Sequence, residues 1–132
     1  MLLRAYMTHG HLLASIDPLE LAKHYADVPS LAEKFRFPDQ RLKRLIDPAN
    51  YGFSDQDLDK EFHINSIFTG STILQKQKVW KLRDLLAAYH NAYCSNIGVE
   101  FMHIEDKEKC NWIREKFEKI QYIKDSEEEK LH

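Results

Sequence analysis

The sequence predicts a mainly α protein: a small helical domain with long irregular connections and at most one or two short strands. Apolar residues recur at three- and four-residue steps through two long stretches, around 79–94 and after Asp106, which marks amphipathic helices. Size fits a single domain spanning 1–132, and a chain near 150 residues hides roughly 70% of its unfolded surface. Seven Phe, six Tyr and two Trp need a core to pack in, so disorder is excluded.

The elements follow in order. Residues 2–9 are helix formers closed by Gly10, which reads as the residue just past a helix end. Asp17-Pro18 reads as an N-cap with Pro at the first helical position, and Leu19, Leu21 and Ala22 extend a short helix from it. Pro29, Pro38 and Pro48 break up residues 27–50, where Ser30 and Asp39 each cap a turn at most. Phe53-Ser54 with Asp57 and Leu58 is a helix start, with Ser54 as cap, Asp57 at the third position and Phe53 stapled to Leu58. Residues 62–74 alternate loosely and read as loop with one short strand.

The longest helix is expected over 79–94, with Val79, Leu82, Leu85, Leu86, Tyr89 and Tyr93 on one stripe, ended by Ser95-Asn96 and Gly98. Residues 99–104 alternate and suggest a short extended piece. Asp106 caps a second helix with Cys110, Ile113, Phe117 and Ile120 inward and Trp112 on its flank. Ser126 and Glu129 form a capping box, which announces a further helix and reads as the mark of a longer chain. The expected core is Leu82, Leu86, Tyr89, Tyr93, Ile113 and Phe117, and Gly98 is expected to hold a backbone conformation other residues resist.

Composition narrows the chemistry. A net charge of -2 lacks the basic excess of a nucleic-acid binder, and no run approaches the ~20 apolar residues of a membrane span. Gly10, Gly52, Gly70 and Gly98 are isolated, so no contiguous glycine-rich phosphate loop exists. Cys94 and Cys110 read as reduced thiols on helical faces. Among seven histidines, His9 and His11 flank a turn and His90 stands one helical turn before Cys94, but no further ligands gather nearby and no metal site is assigned. Lys34 to Arg44 is basic and aromatic yet interrupted by Asp39, and reads as a solvated helix face. No pair among the 21 acidic residues is distinguished by spacing, so no catalytic residue is assigned.

Three ordered blocks carry a resemblance. Arg4-Ala5-Tyr6, Gly10-His11-Leu12 and Asp17-Pro18-Leu19 form the first, and Tyr51-Gly52-Phe53-Ser54 with Asp57-Leu58-Asp59 and Phe62 the second. Tyr93-Cys94, then Ile97 through Ile104, then Trp112-Ile113, form the third and most specific; Ser126 through Lys130 adds a closing match. Together they resemble the first, decarboxylating component of 2-oxoglutarate dehydrogenase, along nearly the whole chain. The family usually has Arg where His9 stands and Gly where Glu20 stands, and residues 21–50 look like a lineage-specific insertion.

The resemblance implies a thiamine-diphosphate- and magnesium-dependent enzyme that decarboxylates 2-oxoglutarate and passes succinyl to the lipoyl arm of a second component. It implies a homodimer working with succinyltransferase and dihydrolipoyl dehydrogenase components, in the mitochondrial matrix of a eukaryote or the cytoplasm of a bacterium. The family's Gly-Asp-Gly cofactor signature is missing here. This stretch is therefore expected to be the N-terminal helical portion, a scaffold with no catalytic, cofactor-binding or metal residue of its own. Glu100 and His103, polar in an apolar run, are either contacts to the catalytic part or two exposed positions of an alternating strand. The paralogue acting on 2-oxoadipate and a freestanding helical interaction module are the alternatives.

Overall fold

The computed structural model describes residues 1–19, 43–64 and 71–131, with residues 121–131 given by their helical backbone. Its centre is a pair of twelve-residue helices, α1 (Leu2–Leu13) and α3 (Leu82–Tyr93). Between them in sequence lie β1 (Glu61–His63), the single helical turn α2 (Thr72–Gln75) and β2 (Val79–Lys81). A long helix, α4 (Lys107–Leu131), packs on α3 and α2. The predicted class holds: helices dominate, and one two-stranded sheet is present among the described residues.

Apolar spacing explains the central pair. Leu2, Ala5, Tyr6, Met7 and Gly10 form the buried stripe of α1, and Leu82, Leu85, Tyr89, Ala92 and Tyr93 that of α3. Gly10 does not end α1. It sits inside the helix where a Cβ would stand 2.7 Å from Tyr93 Cβ, so the glycine is there to let two helices touch. The helix runs on to Leu13, and Ser15 N–H bonds the Ser95 carbonyl at 2.7 Å, tying the ends of α1 and α3.

The helix expected from residue 79 begins three residues later. Val79, Trp80 and Lys81 pair antiparallel with His63, Phe62 and Glu61, an arrangement that β-branched and aromatic side chains favour and that buries Trp80. The short strand expected within 62–74 is β1, with Ile64 N–H adding a bond to Lys78 O. Leu82 and Arg83 then turn into α3 while still donating to Lys60 O and Leu58 O.

Among the described residues, single turns join the elements. Asp47 accepts from Ala49 N–H at 2.9 Å and opens a 3-10 turn over Pro48–Tyr51, closed by Gly52 at φ 84. At Ser54 the expected start yields only a 3-10 turn, Asp55–Asp57, with the Asp57 carboxylate accepting from Ser54 N–H at 2.7 Å and from Ser54 Oγ at 2.8 Å. Residues 18–19 form a turn; Leu21, Ala22, Ser30, Asp39 and most of the 34–44 stretch lie outside the described residues.

Residues 99–104 are not a strand. Ile104 N–H bonds back to Phe101 O at 3.1 Å, and this turn drives Phe101 into the core while Glu100 and His103 stay outside. Gly98 has no left-handed backbone; among the described glycines only Gly52 does. What Gly98 meets is His11, whose Cβ would lie 3.4 Å from an added Cβ.

Asp106 caps α4 as expected, accepting from Glu108 N–H at 3.0 Å and Lys109 N–H at 3.2 Å. Cys110, Ile113 and Phe117 pack against the core, but Ile120, expected inward, is 55% exposed. The second start signal at Ser126 opens no new helix. No Gly or Pro interrupts residues 107–131, and α4 runs through it.

The core gathers around Tyr93. Its ring stacks with Tyr89 at 5.8 Å and with Phe101 at 6.4 Å, and tilts against Phe117 at 5.5 Å. Leu82, Tyr89 and Tyr93 are buried as expected, whereas Leu86, Ile113 and Phe117 are half-buried at its edge. No helix among the described residues is long and apolar enough to cross a membrane.

Candidate functional site

Two polar groupings stand out, one on the surface and one inside. On the surface, the turn after α3 presents Glu100 and His103 beside the first two turns of α1. With Arg4, Thr8 and Met102 they line a cleft of about 300 Å³. The structure therefore does bring the two sequence-selected residues together, with a cation and a hydroxyl opposite them. Glu100 Oε2 also lies 3.8 Å from His11 Nε2, so part of its charge is directed within the chain. Thr8 Oγ1 donates to Arg4 O at 2.9 Å. The cleft offers a mixed-charge surface and no activated nucleophile.

The interior grouping was missed by sequence reasoning. Glu118 of α4 is completely buried, and both carboxylate oxygens are used. Tyr93 OH donates to Oε1 at 2.7 Å; Ser71 Oγ donates to Oε2 at 2.6 Å and Ile73 N–H at 3.1 Å. Ser71 Oγ also shares a 2.9 Å hydrogen bond with Tyr89 OH and caps α2 through Leu74 N–H. One carboxylate thus joins α2, α3 and α4. A buried charge costs several kcal/mol unless its lone pairs are met by donors, and here they are.

The electrostatics follow from that burial. Desolvation, and next to it the Glu118 charge, push both the Tyr89 and Tyr93 phenols up from their ordinary value. Arg114, one turn before Glu118, acts in the opposite direction on both. Its Nη2 donates to Asn111 Oδ1 at 2.6 Å, its Nη1 lies 3.8 Å from Met7 Sδ, and its Nε has no hydrogen-bond partner. Two tyrosines held protonated around a saturated carboxylate stabilise packing and reach no substrate. The signal that would have found Glu118 was positional: Cys110, Ile113, Phe117 and Glu118 share one helical face, so a carboxylate stood where the stripe predicts an apolar residue.

The described residues do not fit thiamine diphosphate with magnesium. The sequence lacks Gly-Asp-Gly, the one buried carboxylate is fully occupied by donors of its own chain, and no three His, Cys, Asp or Glu gather among the described residues. Of the His90–Cys94 pair, His90 is exposed and Cys94 is buried, with Cys94 N–H simply closing the helix on His90 O. Trp112, expected on a helix flank, is 61% exposed with Lys116 Nζ 5.9 Å from its ring.

Fold and site together define a small mainly α unit whose one buried polar cluster serves its own packing. No protein-family model matches the chain. It is 36% identical over 131 residues to a mitochondrial 2-oxoglutarate dehydrogenase of Dictyostelium discoideum, covering 99% of this chain and 11% of that protein. It is 37% identical over 130 residues to a mitochondrial 2-oxoglutarate dehydrogenase-like protein of Pongo abelii, covering 98% of this chain and 12% of that one. A mitochondrial 2-oxoglutarate dehydrogenase of Caenorhabditis elegans is 32% identical over 118 residues, 89% of this chain and 10% of its own. Over that stretch the chain is similar to proteins named 2-oxoglutarate dehydrogenase. It spans about a tenth of the length of the curated relatives it matches.

Proposed function

We propose that this chain is the N-terminal helical portion of a 2-oxoglutarate dehydrogenase, a scaffold on which the catalytic part of the enzyme rests. The observation that carries the reading is the likeness to 2-oxoglutarate dehydrogenase along 99% of the chain. In this reading the whole enzyme decarboxylates 2-oxoglutarate with thiamine diphosphate and magnesium bound elsewhere in the protein. It passes succinyl to the lipoyl arm of a succinyltransferase, works beside a dihydrolipoyl dehydrogenase, and is a homodimer of the mitochondrial matrix. The helical portion binds no cofactor; its part is to present surface. Glu100 and His103, exposed beside Arg4, are the contacts it offers to the catalytic part.

The test is expression of the whole open reading frame that contains these residues. The purified product should decarboxylate 2-oxoglutarate only with thiamine diphosphate and magnesium present. A reading frame holding no Gly-Asp-Gly cofactor signature, or a product inert toward 2-oxoglutarate with both added, defeats the proposal. Glu100→Gln with His103→Ala in that protein should weaken its assembly without unfolding the helical portion.

A further inference from the structure

The buried cluster has a property that packing alone does not require. α1 and α3 hold each other by apolar side chains: Leu2, Ala5, Tyr6 and Met7 against Leu85, Tyr89, Ala92 and Tyr93. α4 is attached differently. Cys110, Ile113 and Phe117 are only half-buried, and the one completely buried side chain among its described residues is the Glu118 carboxylate.

We infer that Glu118 is the latch of a detachable element, and that α4 opens from the α1–α3 body as a unit when its carboxylate lets go. Tyr93 OH, Ser71 Oγ and Ile73 N–H converge on the same two oxygens, so the joint is either made or lost together. Once open, water takes over the hydrogen bonds and recovers part of their strength, whereas it replaces none of the apolar contacts that join α1 to α3. Arg114 adds to the bias: a half-buried guanidinium with an unpartnered Nε and a thioether beside it is better solvated with α4 away. The consequence is a local opening with a free energy below that of global unfolding.

The two cysteines report on the two sides of the joint. Cys110 rides on α4, its thiol 3.8 Å from Phe101 O, while Cys94 is buried at the end of α3. The experiment is labelling of both thiols in the full chain with an aromatic disulfide reagent, each modified site followed by mass spectrometry. In Glu118→Ala, Cys110 should react about tenfold faster than in the parent while Cys94 changes by no more than about twofold. Glu118→Gln keeps a carbonyl acceptor and should lie between them. Tyr93→Phe, which removes only the donor to Oε1, should show the same selectivity for Cys110 and serves if the alanine variant does not fold. Equal acceleration of both thiols in Glu118→Gln and Tyr93→Phe, or no acceleration of Cys110, overturns the inference.

Discussion

Gly10 and Tyr93 meet backbone to backbone: a Cβ placed on Gly10 would stand 2.7 Å from Tyr93 Cβ and 2.8 Å from the Tyr93 carbonyl oxygen. This contact fixes how closely α1 and α3 approach. Two effects of opposite sign compete in Gly10→Ala. Alanine is the better helix residue by about 1 kcal/mol, but the overlap is with main-chain atoms that cannot rotate away, and overpacking costs about 1–3 kcal/mol. The overlap should win. Gly10→Ala is expected to lower the urea midpoint, with a net loss of up to about 2 kcal/mol and an unchanged denaturant slope.

The same residue shows how far sequence carried the fold. The 3- and 4-residue spacing located α3 and α4, because one-sided burial writes itself into a helix of any partner. It could not tell Gly10 as a helix end from Gly10 as a helix contact, since the difference lies in Tyr93, 83 positions away in a chain of this length. Val79 shows the same limit: its place on the apolar stripe suits α3, yet pairing with His63 draws it into β2. Asp106 was a legible cap because capping is local. Glu100 and His103 could be singled out because polarity in an apolar run is visible in one segment. Glu118 was not singled out, because its partners lie on two other segments, Ser71–Ile73 and Tyr93.

Removing one donor from Glu118 tests the buried joint energetically. Tyr93→Phe keeps the ring that packs on Tyr89, Phe101 and Phe117 but leaves Oε1 without its hydroxyl. A hydrogen bond to a buried charge contributes about 1.5–3 kcal/mol, so a loss near 2 kcal/mol is expected. Combined with Glu118→Gln, the two losses should fall short of additive, because both act on one bond. Strict additivity in denaturation experiments would mean the two side chains are not coupled.

Gly52 and Gly98 separate backbone conformation from crowding. Gly52 has φ 84 with nothing near an added Cβ, whereas Gly98 has an ordinary backbone and His11 Cβ at 3.4 Å. Gly52→Ala forces an L residue into the left-handed region and should cost about 1–2 kcal/mol. Gly98→Ala asks only a small shift of an intermediate-exposure histidine and should stay within about 0.5 kcal/mol of the parent. Thermal unfolding of the two single variants, compared side by side, decides it; a Gly98 cost larger than that of Gly52 would refute the assignment.

Alkaline pH should loosen the core. Burial pushes the Cys94 thiol up to about 11, and burial with the nearby Cys94 pushes Tyr6 up to about 12; Tyr89 and Tyr93 are raised further. In the unfolded chain these groups ionise near their ordinary values, roughly 8.5 for Cys and 10 for Tyr. The folded state therefore binds more protons between the two limits, and stability falls as pH rises there. It should be fully present below about pH 8.5, decline first through Cys94, and decline more steeply above about pH 10 as the tyrosines join. Urea midpoints taken at about pH 7, 9 and 10.5 should drop in that order. Cys94→Ala should abolish the early part of the fall and leave the tyrosine part intact; an unchanged early fall would show that another group carries it.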